Sequence, residues 1–439
     1  MNFFSSIFVL IVGIPSREAA FVDLQTPSND TSDLYSPIDP FSYRFIENTS
    51  PELLSELSDW ELEMLSAQNA MDAQNDRYTP FEDIEDEDLI ELTPMGFLKL
   101  SQVVHAGYES VIYAVQDHDD LLIKYQVMCS DLGKPMLHPL ITDYWFMLEA
   151  FELDLAPQPL FLSPPTLLLD IIGRNGNRKF PFTMPTEDLS VCLAEDAQVR
   201  FMVMRKNSGE TLAQFRRRFE DGIIPMQLGA QIMISLIQSL QKLHEIGQIV
   251  HGDIHLGNVL LEPVGESQTD YRIVLIDFGR AARDDRNLTN DRINTLGQWS
   301  HQLCSPWQMD GRAWARRDDI YKAVHMFAAM INPYEYYVRE KNYFRRAGLE
   351  KAIRAKRGAF IFLLPPKAKI GEKRYDSDFD SLVSAIGPNP KLIKHLVDEL
   401  NRLRYNVIER LDDINADIKY REIIENFRWI RAIIKTARS

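Results

Sequence analysis

The chain has 439 residues, 45% of them hydrophobic and 26% charged, which is long enough for two or three packed units with a sizeable core. Three cysteines, Cys129, Cys192 and Cys304, exclude a disulfide framework, and the acidic balance argues against nucleic acid as a partner. The net charge of −16 is concentrated: residues 21–94 carry 19 acids against Arg44 and Arg77, and the remainder is within one charge of neutral.

At the amino terminus an apolar run from Phe3 to Ile14 has the length of a signal-peptide core, so residues 1–20 are expected to form a signal peptide. No Lys or Arg precedes the run and no small-x-small cleavage site follows it, features that fit a buried strand or helix instead. It is too short to span a bilayer, no other stretch approaches that length, and no transmembrane segment is expected. Residues 21–94 read as a largely disordered acidic extension. Within it, Ser50-Pro51-Glu52 is a helix start, and Leu53, Leu57, Trp60 and Met64 recur on one helical face, a face built to dock on the folded domain or on a partner. The run Glu82–Asp88 reads as a solvated linker.

From about Met95 apolar segments alternate with turns. Val111–Val115 and Leu121–Lys124 read as strands separated by a turn at Asp117–Asp120, followed by a helix over Asp143–Leu153 and a strand at Phe201–Met204. A long helix covers Gln227–Glu245, with Met233, Leu236, Ile237, Leu240 and Leu243 on one face. Strands first and helices later imply an α+β fold.

The chemistry is carried by His251-Gly-Asp253-Ile-His255-Leu-Gly-Asn258, followed by Asp277-Phe278-Gly279. Phosphoryl transfer requires a carboxylate to orient the attacking hydroxyl and oxygen ligands for Mg²⁺. An Asp and an Asn five residues apart on one loop, with a second Asp beyond a hairpin, meet both needs. The two motifs resemble the catalytic loop and the Asp-Phe-Gly motif of eukaryotic protein kinases, in a divergent form closest in style to the casein kinase and vaccinia-related kinase group.

This resemblance implies a bilobal protein kinase-like fold over residues 95–439, with a small β-rich N-lobe (95–206) and a larger helical C-lobe (207–439). It implies ATP and Mg²⁺ as cofactors and Ser/Thr hydroxyls of protein substrates as acceptors. Residue by residue, Asp253 resembles the catalytic base, and Asn258 and Asp277 the metal ligands. Lys124 resembles the lysine that holds the phosphates, and Glu149 its ion-pair partner, with Glu152 competing for that place. Met204, Arg205 and Asn207 resemble the adenine-binding hinge, and Gly107 is the one glycine kept at the three positions of the phosphate-binding loop. Asp319 resembles the acid that anchors the catalytic loop. Residues 280–304 correspond to the activation segment, with Ser305-Pro-Trp307 standing where Ala-Pro-Glu is usual.

Gly252 stands where the family has an Arg that binds an activation-segment phosphate, so activity is not expected to depend on such phosphorylation. His255 stands where Ser/Thr kinases have Lys, and the string His-Gly-Asp-x-His also resembles small-molecule phosphotransferases of the aminoglycoside type. A pseudokinase scaffold is the third reading, kept open by the altered glycine loop. The basic stretch Arg339–Arg374, with 12 Lys and Arg against 3 acids, reads as a solvated face or as a recruiter of acidic substrates. The signal-like terminus and acidic extension look like those of secreted effector kinases, so a secretory compartment is expected, and otherwise the cytoplasm.

Overall fold

The computed structural model describes residues 90–106, 110–128, 139–167, 198–219, 222–265, 270–284, 305, 307, 315–331, 389–412 and 417–438. The expected signal peptide, the acidic extension up to residue 89, Gly107, the three cysteines, residues 285–304 of the activation segment and the basic stretch 339–374 lie outside the described residues. The chain divides into two compact units: among the described residues the first holds 90–106, 110–128, 163–167 and 198–201, and the second holds the rest. This division differs from the expected lobes 95–206 and 207–439, because residues 139–162 group with the later part of the chain. Strands make up the first unit and helices dominate the second, giving an α+β fold with a small β-rich part and a larger helical part.

The first unit is built on an antiparallel meander of β1 (Ile90–Thr93), β2 (Gly96–Ala106), β3 (Ser110–Val115) and β4 (His118–Met128), with the start of β7 (Gln198–Arg205) beside β4. In β3 the pleat buries Val111, Tyr113 and Val115 and leaves the alternate residues half-covered, the period-2 pattern of a strand with one face on a core. Tyr125 of β4 meets Tyr113 edge-on at 5.9 Å and Phe201 at 5.4 Å, so aromatic rings fill this core. The β3–β4 turn is tighter than the sequence suggests: β4 already begins at His118, because Asp117 takes a left-handed φ of 62° and closes the hairpin at once. The short β6 (Thr166–Leu167) pairs with the first residues of β7, and Ser163 secures the chain nearby by accepting the Phe201 amide on its Oγ at 2.8 Å.

In the second unit α1 (Pro139–Glu152) leads to β5 (Pro159–Leu162), which pairs with the end of β7 at Pro159↔Met204 and Leu162↔Met202. After β8 (Glu210–Thr211), α2 (Leu212–Arg216) begins at a capping box in which Thr211 and Gln214 exchange backbone-to-side-chain hydrogen bonds of 3.0 and 3.1 Å. The long α3 (Met226–Glu245) is the spine of the unit: Met233, Leu236, Ile237, Leu240 and Leu243 are each fully buried, as their spacing predicts. It packs against α4 (Arg316–Ile331) and against α6 (Tyr420–Arg438). On α6 the residues Ile423, Phe427, Ile430 and Ile434 are buried at helical spacing, and Phe427 meets Phe327 of α4 edge-on at 5.1 Å. Burying each such side chain contributes roughly 1.5–3 kcal/mol.

Between α3 and α4 lie β9 (Ile249–Val250), the hairpin β10 (Val259–Pro263) and β11 (Tyr271–Leu275), and β12 (Ala282–Arg283), which returns to pair with β9. A further helix, α5 (Pro390–Arg404), starts at Asn389, whose side chain caps the amides of Lys391 and Leu392. It runs on through a π-helical turn at Tyr405–Glu409. Among the described residues no helix is long and apolar enough to cross a membrane.

Candidate active site

The loop from His251 to Asn258 joins β9 to β10 and is held from below by Asp319. This carboxylate, fully buried in the first turn of α4, accepts the amides of His251 at 2.7 Å and Gly252 at 2.9 Å. An acid at a helix amino terminus is favoured by the helix dipole. Lys322, one turn later, donates to the Gly252 carbonyl at 2.5 Å, so the peptide groups around Gly252 are gripped on both sides. Gly252 has φ 77°, a left-handed conformation that costs a side-chain-bearing residue about 1–2 kcal/mol. Glycine at 252 therefore suits the backbone.

Asp319 is itself positioned. His244, at the end of α3, meets Oδ2 of Asp319 through Nε2 at 2.9 Å and the Tyr420 hydroxyl through Nδ1 at 2.7 Å. Burial, the largest influence on Asp319, would raise its pKa. The hydrogen bond from His244 and the charges of His244, His251 and Lys322 outweigh it and hold the carboxyl below its ordinary value. Burial keeps the Tyr420 phenol protonated by raising its pKa.

Above this anchor, the ring of His251 ties the two halves of the site together. Its Nδ1 accepts the Asp253 amide at 3.3 Å, its Nε2 donates to the Ile276 carbonyl at 3.2 Å, and its ring lies 4.6 Å from that of Phe278. Those two bonds define the Nε2–H tautomer. His251 and Phe278 are packing elements, as their place in the motifs implies.

The Asn258 side-chain amide donates to the Asp253 carbonyl at 3.0 Å, while its backbone carbonyl accepts the Ile276 amide at 3.1 Å. Asn258 is thereby locked to Asp253 on one side and to the residue before Asp277 on the other. Asp277 has φ 64°, a left-handed backbone that is uncommon outside glycine and marks a constrained position. Hydrogen bonds thus tie Asn258 to the backbone of Asp253 and to the residue before Asp277.

Oδ2 of Asp253 faces Nε2 of His255 at 3.8 Å, and Oδ1 faces the Arg280 guanidinium at 3.8 Å. His255 accepts the Gly257 amide on Nδ1 at 3.0 Å, which puts its proton on Nε2, toward Asp253. A Cβ on Gly257 would stand 2.9 Å from the imidazole, so glycine is required for the ring to sit there. Burial is the largest influence on His255 and lowers its pKa, with Asp253 and Asp277 pulling the other way, so the ring is a neutral donor near pH 7.

Within the second unit Glu149 is paired with a cation of β12. Both of its carboxylate oxygens go to Arg283 of β12, at 2.5 and 2.7 Å, and Arg283 also lies over the Phe146 ring at 5.3 Å and bonds the Gly247 carbonyl at 3.2 Å. The alternative, Glu152, is exposed. The acid of α1 that reaches the Asp-Phe-Gly motif is Asp143, fully buried, which accepts the Phe278 amide at 2.7 Å. Its signal in the sequence is an acid set among residues that become the buried face of α1: Leu140, Ile141, Tyr144 and Met147.

Lys124 lies buried on β4 of the first unit, opposite Ile112 of β3. Met204 is buried on β7; the amide of Arg205 is already bonded to the Gln158 carbonyl at 2.8 Å, and Asn207 is half-buried. The segment after the site is anchored too: Ser305 and the Ala315 amide both bond the buried Asp318, and Arg317 covers the Trp307 ring at 4.7 Å.

No family model matches this sequence, and neither does any curated protein. The structure is similar to that of vaccinia related kinase 3, with 12% sequence identity, covering 82% of this chain and 94% of that one, at a TM-score of 0.49.

Proposed function

We propose that this protein is a kinase that transfers the γ-phosphate of ATP to Ser or Thr hydroxyls of protein substrates. The observation that supports this reading is the pair of bonds made by Asn258 across the β10–β11 hairpin, from its side-chain amide to the Asp253 carbonyl and from its backbone carbonyl to the residue before Asp277. Asp253 accepts the proton of the acceptor hydroxyl as its oxygen bonds to the γ-phosphorus and ADP departs. The oxygens of Asn258 and Asp277 are hard donors that fit Mg²⁺, and the tether of Asn258 Nδ2 to Asp253 leaves the other amide atom, an oxygen, for that role. Mg²⁺ bound there would neutralise phosphate charge. Lys124 would hold the ATP phosphates, and the segment Met204–Asn207 would receive the adenine. Acceptors with acidic residues near the hydroxyl would suit the basic stretch Arg339–Arg374.

A second reading, a small-molecule phosphotransferase, is favoured by one observation: the neutral His255 and the glycine at 252 in the string His-Gly-Asp-x-His. Both readings require Asp253. Asp253→Asn should keep ATP affinity within a few-fold while turnover falls about 10²–10⁴-fold, the usual worth of a positioned base. Turnover on an acidic protein substrate separates the kinase from the small-molecule enzyme. Undiminished turnover in Asp253→Asn would remove both.

A further inference from the structure

The inward row of α6 begins at a polar group. Ile423, Phe427, Ile430 and Ile434 are buried at helical spacing, and the same row starts with Tyr420, 4% exposed. Packing asks only for an apolar ring at that place, as Phe427 supplies further along. A buried phenol hydroxyl costs free energy unless it is bonded. The bond that Tyr420 makes is to Nδ1 of His244 at 2.7 Å, and burial raises the pKa of the phenol, so the hydroxyl keeps its proton and is the donor.

His244 needs that second bond. It stands in the last turn of α3, and its other nitrogen, Nε2, donates to Oδ2 of Asp319 at 2.9 Å. The outer torsion of a histidine side chain is broad and roughly two-fold, so one bond at Nε2 leaves the plane of the imidazole free to turn. Bonds at both nitrogens fix it. Oδ2 also accepts the His251 amide at 2.7 Å, while Oδ1 takes the Gly252 amide at 2.9 Å, so the orientation of this one carboxylate sets the two peptide groups that lead into Asp253. Gly252 turns there with φ 77°. A glycine populates both signs of φ about equally, so bonds to its neighbours must select the bend.

The relay therefore runs from Tyr420 through His244 and Asp319 to His251 and Gly252, and every member is buried. We propose that Tyr420 is a positioning residue for phosphotransfer: its hydroxyl orients His244, and through Asp319 it holds the backbone before Asp253 in the bend that aims that carboxylate. The role rests on the kinase reading, and it makes the carboxyl-terminal helix a functional part of the candidate site as well as a packing element.

The test compares Tyr420→Phe, which removes the hydroxyl and keeps the ring, with Ile434→Val, a buried change on the same helix that lowers stability by packing alone. Both are made in the full-length protein. Hydrogen exchange is read by mass spectrometry on peptides covering Ile249–Ile254, and steady-state kinetics are measured with casein as an acidic acceptor. In Tyr420→Phe these amides should exchange about fivefold faster, the effect of losing one net hydrogen bond. Its kcat should fall on the order of tenfold, with KM for ATP held within about twofold, because the orientation of the reacting group is lost and nucleotide binding is not. Ile434→Val should match the wild type in both measurements. The proposal is overturned if Tyr420→Phe keeps wild-type exchange and kcat, or if Ile434→Val moves both as far. A wild-type protein that phosphorylates neither casein nor itself would overturn the kinase reading and this role together, whereas an active wild type with an unaffected Tyr420→Phe variant would overturn this role alone.

Discussion

The backbone amide of Phe278 donates to the carboxylate of Asp143 over 2.7 Å, joining the middle of the Asp-Phe-Gly motif to helix α1 through a fully buried acid. Asp277, the candidate metal ligand, is the residue before that amide, and its left-handed φ of 64° is held in place from both sides: by the His251 contact to Ile276 and by the Asp143 contact to Phe278. The position of α1 is therefore coupled to the backbone of the site by one short bond.

Removing that bond should be costly. A buried charge-assisted hydrogen bond contributes about 1.5–3 kcal/mol, and leaving the Phe278 amide unpaired adds its desolvation. Asp143→Ala is expected to lower phosphotransfer by at least an order of magnitude. Glu149→Ala, which breaks a half-exposed pair with Arg283 worth about 0–1 kcal/mol, should lower it far less. Steady-state kinetics on the two variants decides the matter, and the reverse ranking would restore Glu149 to the central role.

Asp319 should be the most sensitive single residue for stability. Asp319→Ala leaves the amides of His251 and Gly252 and the ring of His244 without their acceptor. Removal of one partner from such a buried charged network costs about 3–5 kcal/mol. Tyr420→Phe removes only the outer bond to His244 and is expected to cost about 1 kcal/mol. Urea unfolding of both variants measures the difference, and similar midpoints would contradict the network.

Gly257 and Gly252 call for different remedies. Alanine at 257 would drive a Cβ into the His255 imidazole at 2.9 Å and displace it from Asp253, so Gly257→Ala should cost activity more than stability. Alanine at 252 strains the backbone itself, so Gly252→Ala should cost about 1–2 kcal/mol of stability, with Gly252→Asn, a residue more tolerant of left-handed φ, costing less. Melting temperature and turnover measured side by side separate the two effects.

The pH dependence of stability should carry the mark of Asp318. Burial pushes its pKa up from 3.8 to about 6, more than Ser305, Ala315 and the nearby cations bring it down. Between these values the native state binds a proton that the unfolded chain has already released, so this residue's contribution to stability declines as pH rises through that window. A shift of about two units corresponds to ~3 kcal/mol. Wild-type stability is expected to fall between those pH values relative to Asp318→Asn. Parallel pH profiles would exclude the assignment.

The sequence makes the candidate loop and the long helix before it legible. The spacing of Asp253 to Asn258 is local chemistry, since five residues of one loop can present both groups only if the loop is short and anchored, and the Asp-Phe-Gly motif lies one hairpin away. The helix over Gln227–Glu245 was readable because its apolar residues repeat at 3.6. Asp143 does not stand out in the sequence, for a physical reason. In a linear sequence an acid within a helix reads as a solvated charge, and choosing among Asp143, Glu149 and Glu152 depends on which turn of α1 faces Phe278.

What the residues alone determine is the α+β order of the elements and a set of candidate reacting groups, because periodicity and short-range spacing are properties of neighbours along the chain. What only the tertiary structure decided was who holds whom: Asp143 on Phe278, Glu149 on Arg283, and Asp319 beneath the His251–Asn258 loop with His244 and Tyr420 behind it. Those partners lie between 67 and 176 residues apart, and such contacts are chosen by the packing of whole helices, which no local pattern encodes.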